Sequence, residues 1–182
     1  QILERNPDRE MGDDVYWLET RSAQGGRRTL LRHGPDGATV ELTPEPFRVG
    51  SRVHEYGGGA YNVQDGVVIF AHFHDTRLYR VEPDGKTRPI TPETALRYAD
   101  FVFDSNRLIA VREDHRGEGE AVNTIVATGL EGDESGGVVL TEGADFYAYP
   151  RLSPDGQRLC WIQWNHPNMP WDGTSLYVAE LD

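Results

Sequence analysis

The 182-residue sequence has one cysteine, Cys160, so no internal disulfide can brace it. That thiol sits in the apolar run Leu159-Cys160-Trp161-Ile162, where a lone cysteine packs as a small hydrophobe. Its solitude favours a reducing compartment, and a cytoplasmic location is expected. Positive charge is scarce too: 18 Lys and Arg against 30 Asp and Glu leave a net charge of −12. Such a surface repels phosphate backbones and anionic lipid, so no nucleic-acid or membrane partner is expected. No apolar run nears the ~18 residues that a bilayer span needs. The polar start Gln1 to Asp14 has no signal-peptide core. No amphipathic helical periodicity stands out. Catalytic signatures are missing as well. The nearest approach to Gly-x-Ser-x-Gly, Asp133-Glu134-Ser135-Gly136, lacks its first glycine, and neither a Walker loop nor a paired-cysteine motif occurs. With six histidines and many acids, Ser-His-Asp sets can be composed at will, and without a nucleophile elbow they carry no information. No catalytic residue is assigned, and neither a cofactor nor a metal is expected.

What the sequence does contain is a repeat. Leu30-Leu31-Arg32, Pro35-Asp36-Gly37 and Leu42-Thr43 recur 48 residues on as Leu78-Tyr79-Arg80, Pro83-Asp84-Gly85 and Ile90-Thr91. Each copy reads as an alternating strand, a tight turn and a second strand. In the turn, proline presets φ, aspartate bonds the following backbone and glycine accepts positive φ. Pro154-Asp155-Gly156 is a third such turn. The 20 Gly and 11 Pro between short β-branched and aromatic runs are all-β punctuation. Self-similarity at 40 to 50 residues, carried by short strands, is the pattern of β-propeller blades.

The expectation is therefore an all-β, partial β-propeller of about four consecutive four-stranded antiparallel blades, in units of approximately 13–43, 56–91, 97–141 and 147–182. An offset of 51 aligns the last two units, setting Tyr98 on Tyr149, Arg107 on Arg158, Leu108 on Leu159 and Val111 on Ile162. The fourth unit has no counterpart of Thr87 to Thr91. Ile2 to Met11, with Pro7 and no alternation, makes a poor strand before Val15. The chain thus reads as roughly four blades of a longer protein, with exposed sheet edges through which homo-oligomers could form.

Four local constellations invite chemistry. Arg52-Val53-His54-Glu55-Tyr56-Gly57-Gly58-Gly59 reads either as a loop offering His54, Glu55 and Tyr56 to a central channel, or as a blade entry where glycine fits a crowded neck. Trp161, Trp164 and Trp171, with the loop Asn165-His166-Pro167-Asn168-Met169-Pro170, form an aromatic, proline-rich patch suited to a peptide or a neighbouring domain. His72 and His74 share a strand face beside Asp75, but sequence supplies no further ligands. Glu113-Asp114-His115, flanked by Arg112 and Arg116, reads as a self-neutralised charged loop.

Several of these segments resemble a known family. Val15-Tyr16-Trp17-Leu18-Glu19, the run from Arg52 to Tyr61, Leu152-Ser153-Pro154-Asp155-Gly156 and Trp164 to Asp172 are similar to the propeller of bacterial prolyl oligopeptidase family serine peptidases, in the dipeptidyl aminopeptidase or acylaminoacyl peptidase branch. The resemblance covers most of the chain. It implies an N-terminal propeller over a C-terminal α/β-hydrolase domain bearing the Ser, Asp and His triad. In that family the propeller admits only peptides small enough to enter, and it contributes contacts to the substrate. The hydrolase half has no counterpart in this sequence, so no triad residue carries over.

The implied function is the substrate-gating part of a serine peptidase for short peptides, inactive by itself, with a peptide and the missing hydrolase domain as partners. His54, Glu55, Tyr56, Trp164, His166 and Trp171 are its expected gating residues. The rival expectation is a noncatalytic propeller of the TolB type, whose repeats also favour Ser-Pro-Asp-Gly, used for protein binding. The His-Glu-Tyr-Gly-Gly-Gly run favours the peptidase.

Overall fold

The computed structural model describes residues 14–181. Among them there is no α-helix: fourteen strands and one 3₁₀ turn make four antiparallel sheets of three or four strands, and every sheet joins strands in sequence order. The chain divides into two compact units after Val49.

The first unit holds β1 (Val15–Arg21), the 3₁₀ turn Ser22–Gln24, β2 (Arg27–His33) and β3 (Thr39–Glu41). Leu30 and Leu31 are buried, and Arg27, 7% exposed, is satisfied by backbone oxygens. Its Nη1 donates to Thr43 O at 2.9 Å and to Phe47 O at 3.0 Å, while Nη2 meets Glu41 Oε1 at 2.5 Å. The repeated Leu42-Thr43 has a clear task. Thr43 Oγ1 accepts the Leu30 N–H at 2.8 Å, an amide that the short outer strand leaves free.

The second unit holds three sheets: β4 (Tyr61–Gln64) to β7 (Thr87–Pro89), β8 (Leu96–Asp104) to β11 (Val138–Thr141), and β12 (Phe146–Leu152) to β14 (Ser175–Glu180). Between them run β5 (Val67–Ala71), β6 (Leu78–Val81), β9 (Arg107–Asp114), β10 (Val122–Gly129) and β13 (Arg158–Trp164). Adjacent sheets share apolar cores. Ile69, Leu78 and Ile90 pack on Leu96, Tyr98 and Leu108; Ile109, Val111 and Ile125 pack on Tyr147, Leu159 and Trp161. A sheet that buries both faces only against its neighbours is a propeller blade. The second copy of the repeat reproduces the first, with Thr91 Oγ1 accepting the Leu78 N–H at 2.9 Å. The three Pro-Asp-Gly turns also agree: the glycines have φ of 78°, 84° and 69°. Asp36, Asp84 and Asp155 each accept the amide two residues on, at 3.0 to 3.1 Å.

Two expectations need adjusting. The second and third sheets are four-stranded as expected, but the first and fourth have three strands among the described residues. The segment Ile2 to Met11 lies outside those residues.

The offset of 51 also fails for the first strand of each blade. Arg107 and Arg158 do open equivalent strands: across the two hairpins Leu108 pairs with Phe103 and Leu159 with Leu152. The first strands, however, align at 49, because Val102 opposes Ile109 as Arg151 opposes Cys160, and Ala99 opposes Val111 as Ala148 opposes Ile162. The turn carrying Pro154-Asp155-Gly156 is two residues longer than that at Ser105-Asn106, and the shift follows. Tyr98 therefore matches Tyr147, both fully buried, while Tyr149 is 57% exposed. The match at 49 extends to the β-bulges in β8 and β12, where Asp100 and Tyr149 take φ of 53° and 54°.

Candidate functional site

The turn between Ser51 and Ala60 concentrates left-handed backbone. His54 and Glu55 are consecutive non-glycine residues in the left-handed region, with φ of 54° and 63°, followed by Gly57 at 85°. Such residues cost of order 1–3 kcal/mol each and persist only where their surroundings hold them. Here the holding groups come from the neighbouring sheet. The His54 N–H donates to Glu113 Oε1 at 2.5 Å, and Ser51 Oγ donates to Tyr98 O at 2.7 Å. Arg97 Nη1 donates to Arg52 O at 3.0 Å and to Glu55 Oε1 at 2.5 Å, and reaches Glu113 Oε2 at 3.5 Å.

At the far end of the turn the chain touches β8. A Cβ on Gly58 would lie 2.9 Å from the Ala99 Cβ, and one on Gly59 would lie 2.9 Å from Asp100 Oδ1. These glycines serve close approach, the crowded-neck reading. Asp100 uses the gap: Oδ1 accepts the Gly59 N–H at 2.5 Å and Oδ2 accepts the Tyr149 N–H at 3.2 Å.

Held in this way, the His54 ring stands edge-on to two stacked rings, 5.2 Å from Phe146 and 5.4 Å from Trp164, which lie 5.3 Å apart. Tyr56 is 5.6 Å from His54 on another side, and His166 is 4.8 Å from Phe146. Burial lowers the His54 pKa, against the opposing pull of Glu113 and Asp100, so the imidazole is neutral at pH 7. Its Nε2 is buried with no hydrogen-bond partner. His166 is anchored through Asp145, whose Oδ2 accepts the His166 N–H at 2.9 Å and lies 3.2 Å from Nδ1. Tyr56 is 66% exposed and Trp164 is 5% exposed, so the cluster runs from solvent into the sheet. Chemically it offers π faces, a neutral imidazole and, beside them, the Glu55 carboxylate, which Arg97 holds below the usual carboxylate range.

Of the expected gating residues, His54, Tyr56, Trp164 and His166 share this cluster, and Glu55 lies at its edge. Trp171 takes no part in these ring contacts; it stands 76% exposed on the loop after β13. The three tryptophans do not form one patch. Trp161 and Trp164, three apart on a strand, face opposite ways, and Trp161 instead stacks on Tyr177 at 5.7 Å. Phe146, which joins the two halves, has no motif of its own and falls just before the expected start of its strand. Glu113 departs from the loop charge expected of it and Asp114. It lies on β9, 4% exposed, and only Asp114 makes the expected local pair with Arg116, at 2.6 Å. His72 and His74 touch edge-to-face at 5.5 Å, and among the described residues no group of three or more His, Cys, Asp or Glu side chains converges.

Consecutive antiparallel sheets packed face to face define β-propeller blades. No family model and no curated protein matches the sequence. Solved structures do. A puromycin-hydrolysing peptidase of Mycobacterium tuberculosis is 38% identical over 93% of this chain, with a TM-score of 0.83. A puromycin hydrolase is 36% identical over 95%, with a TM-score of 0.85, and its S511A mutant complexed with PGG gives 0.86. The chain corresponds to the propeller part of the prolyl oligopeptidase family, and it spans only 29–30% of the length of these relatives. TolB from Acinetobacter baumannii, 12% identical with a TM-score of 0.58, shares the fold alone. No helix among the described residues is long and apolar enough to cross a membrane.

Proposed function

We propose that this chain is the substrate-gating propeller portion of a cytoplasmic serine peptidase of the dipeptidyl aminopeptidase or acylaminoacyl peptidase type. It admits short peptides to an α/β-hydrolase domain that carries the catalytic triad, and by itself it is inactive. The observation that carries the reading is the gathering of His54, Tyr56, Trp164 and His166 from distant positions into one aromatic cluster that reaches solvent. The likeness at 36–38% identity to peptidases that hydrolyse puromycin supports it. In this reading His54, Glu55, Tyr56, Trp164, His166 and Trp171 line the path of the peptide. The TolB-like binding reading rests on the fold alone and is the weaker one.

The test compares the full-length peptidase with its Tyr56→Ala and Trp164→Ala variants on dipeptide to decapeptide p-nitroanilides, and assays the 182-residue chain in parallel. The variants are expected to change KM and the dependence on peptide length, and the chain alone to release no product. Unchanged length dependence in both variants overturns the gating role. Strand β14, exposed along its length, also supports self-association through that edge. Light scattering that gives a clean monomer at high concentration overturns it.

A further inference from the structure

Among the described residues, Glu113 is the one buried carboxylate whose partners converge on the His54 turn. It projects from β9 of the third sheet, and all three of its contacts are charge-assisted or potentially so: the His54 N–H, Arg97 and His115 Nε2 at 3.0 Å. Arg97 in turn grips Arg52 O and Glu55, so a single buried anion fixes the turn at three points. A carboxylate taken out of water is unfavourable unless it is fully engaged, and this one is shared between its own sheet, through Arg97 on β8 and His115 just after β9, and the strained backbone of the turn.

We infer that Glu113 is a positioning residue that holds His54 and Tyr56 in their binding arrangement through the left-handed turn. The inference rests on the gating reading above. Without Glu113 the two left-handed residues relax to ordinary φ, which swings the His54 ring away from Phe146 and Trp164 and carries Tyr56 with it. The strain released on relaxation offsets part of the lost bonding. The fold is therefore affected less than the site, and the deficit falls on binding rather than on the amount of folded enzyme.

The experiment measures kcat and KM of the full-length peptidase on dipeptide and tripeptide p-nitroanilides for Glu113→Ala, Glu113→Gln and Tyr56→Ala, with thermal melts of each. Glu113→Ala is expected to raise KM about tenfold with kcat within about twofold, the scale of one charge-assisted hydrogen bond. Glu113→Gln keeps an acceptor for the His54 N–H, and should raise KM about threefold while melting close to the parent. If Tyr56→Ala raises KM and neither Glu113 variant does, the positioning role is overturned and the site reading stands. A kcat that falls in step with lost folded protein, at unchanged KM, also overturns it. If Tyr56→Ala changes nothing, the site reading itself fails.

Discussion

Asp100 Oδ1 lies 2.5 Å from the Gly59 amide nitrogen, and a Cβ on Gly59 would stand only 2.9 Å from the same oxygen. The Gly59 carbonyl accepts the Asp100 N–H at 2.8 Å, so the two residues bond both ways across neighbouring sheets. The second carboxylate oxygen carries the link on to Tyr149 of the fourth sheet.

Gly59→Ala is expected to push the carboxylate aside and lose its bond, destabilising by about 2 kcal/mol. Asp100→Asn keeps one acceptor and should cost roughly half of that. Urea unfolding of each variant and of the double variant checks both. Because the two changes remove one interaction, the double variant should fall well short of the sum.

Thr91→Val, nearly isosteric, leaves the buried Leu78 N–H without its acceptor. A loss of about 2 kcal/mol is expected, against about 1 kcal/mol or less for Thr91→Ser, which keeps the hydroxyl. The urea midpoint should shift at constant slope. Thr43, which plays the same part for Leu30, should give the same order of effects.

His54 gives stability a pH dependence of known sign. Its folded pKa lies below the ordinary value of 6.5, because burial disfavours the imidazolium. Below 6.5 the unfolded chain therefore binds the proton first. The contribution of this group is fully present above that pH, and is lost as pH falls from 6.5 towards the folded pKa. His54→Asn, which tolerates the left-handed backbone, should flatten the stability profile between pH 7 and 5 relative to the parent. Denaturant titrations at intervals across that window make the comparison. Parallel slopes would remove His54 as the cause.

The repeat was readable because its residues act locally. The aspartates of the Pro-Asp-Gly turns bond amides two residues away, and Thr43 and Thr91 bond amides 13 residues back, within one hairpin. Such pairings leave a periodic trace that a single sequence displays. The candidate site was half readable. His54, Glu55 and Tyr56 announced themselves by the glycines that follow, but the groups that hold them lie far along the chain. Glu113 is 59 residues from His54, and nothing in its neighbours Arg112 and Asp114 distinguishes a buried strand carboxylate from a solvated one. Tyr149 misled in a different manner. Its type and spacing matched Tyr98, yet two additional turn residues moved the true counterpart to Tyr147, and exposure rather than identity separates them. Register depends on turn length, which an alignment of strand residues alone does not see.

The Asp100 linkage acts as a mechanical clasp across three blades. Parting the second and third sheets at that level would take the carboxylate from the Gly59 amide before water could replace it. Parting the third and fourth sheets would break the bond of the same carboxylate to the Tyr149 N–H. One side chain thereby latches both seams.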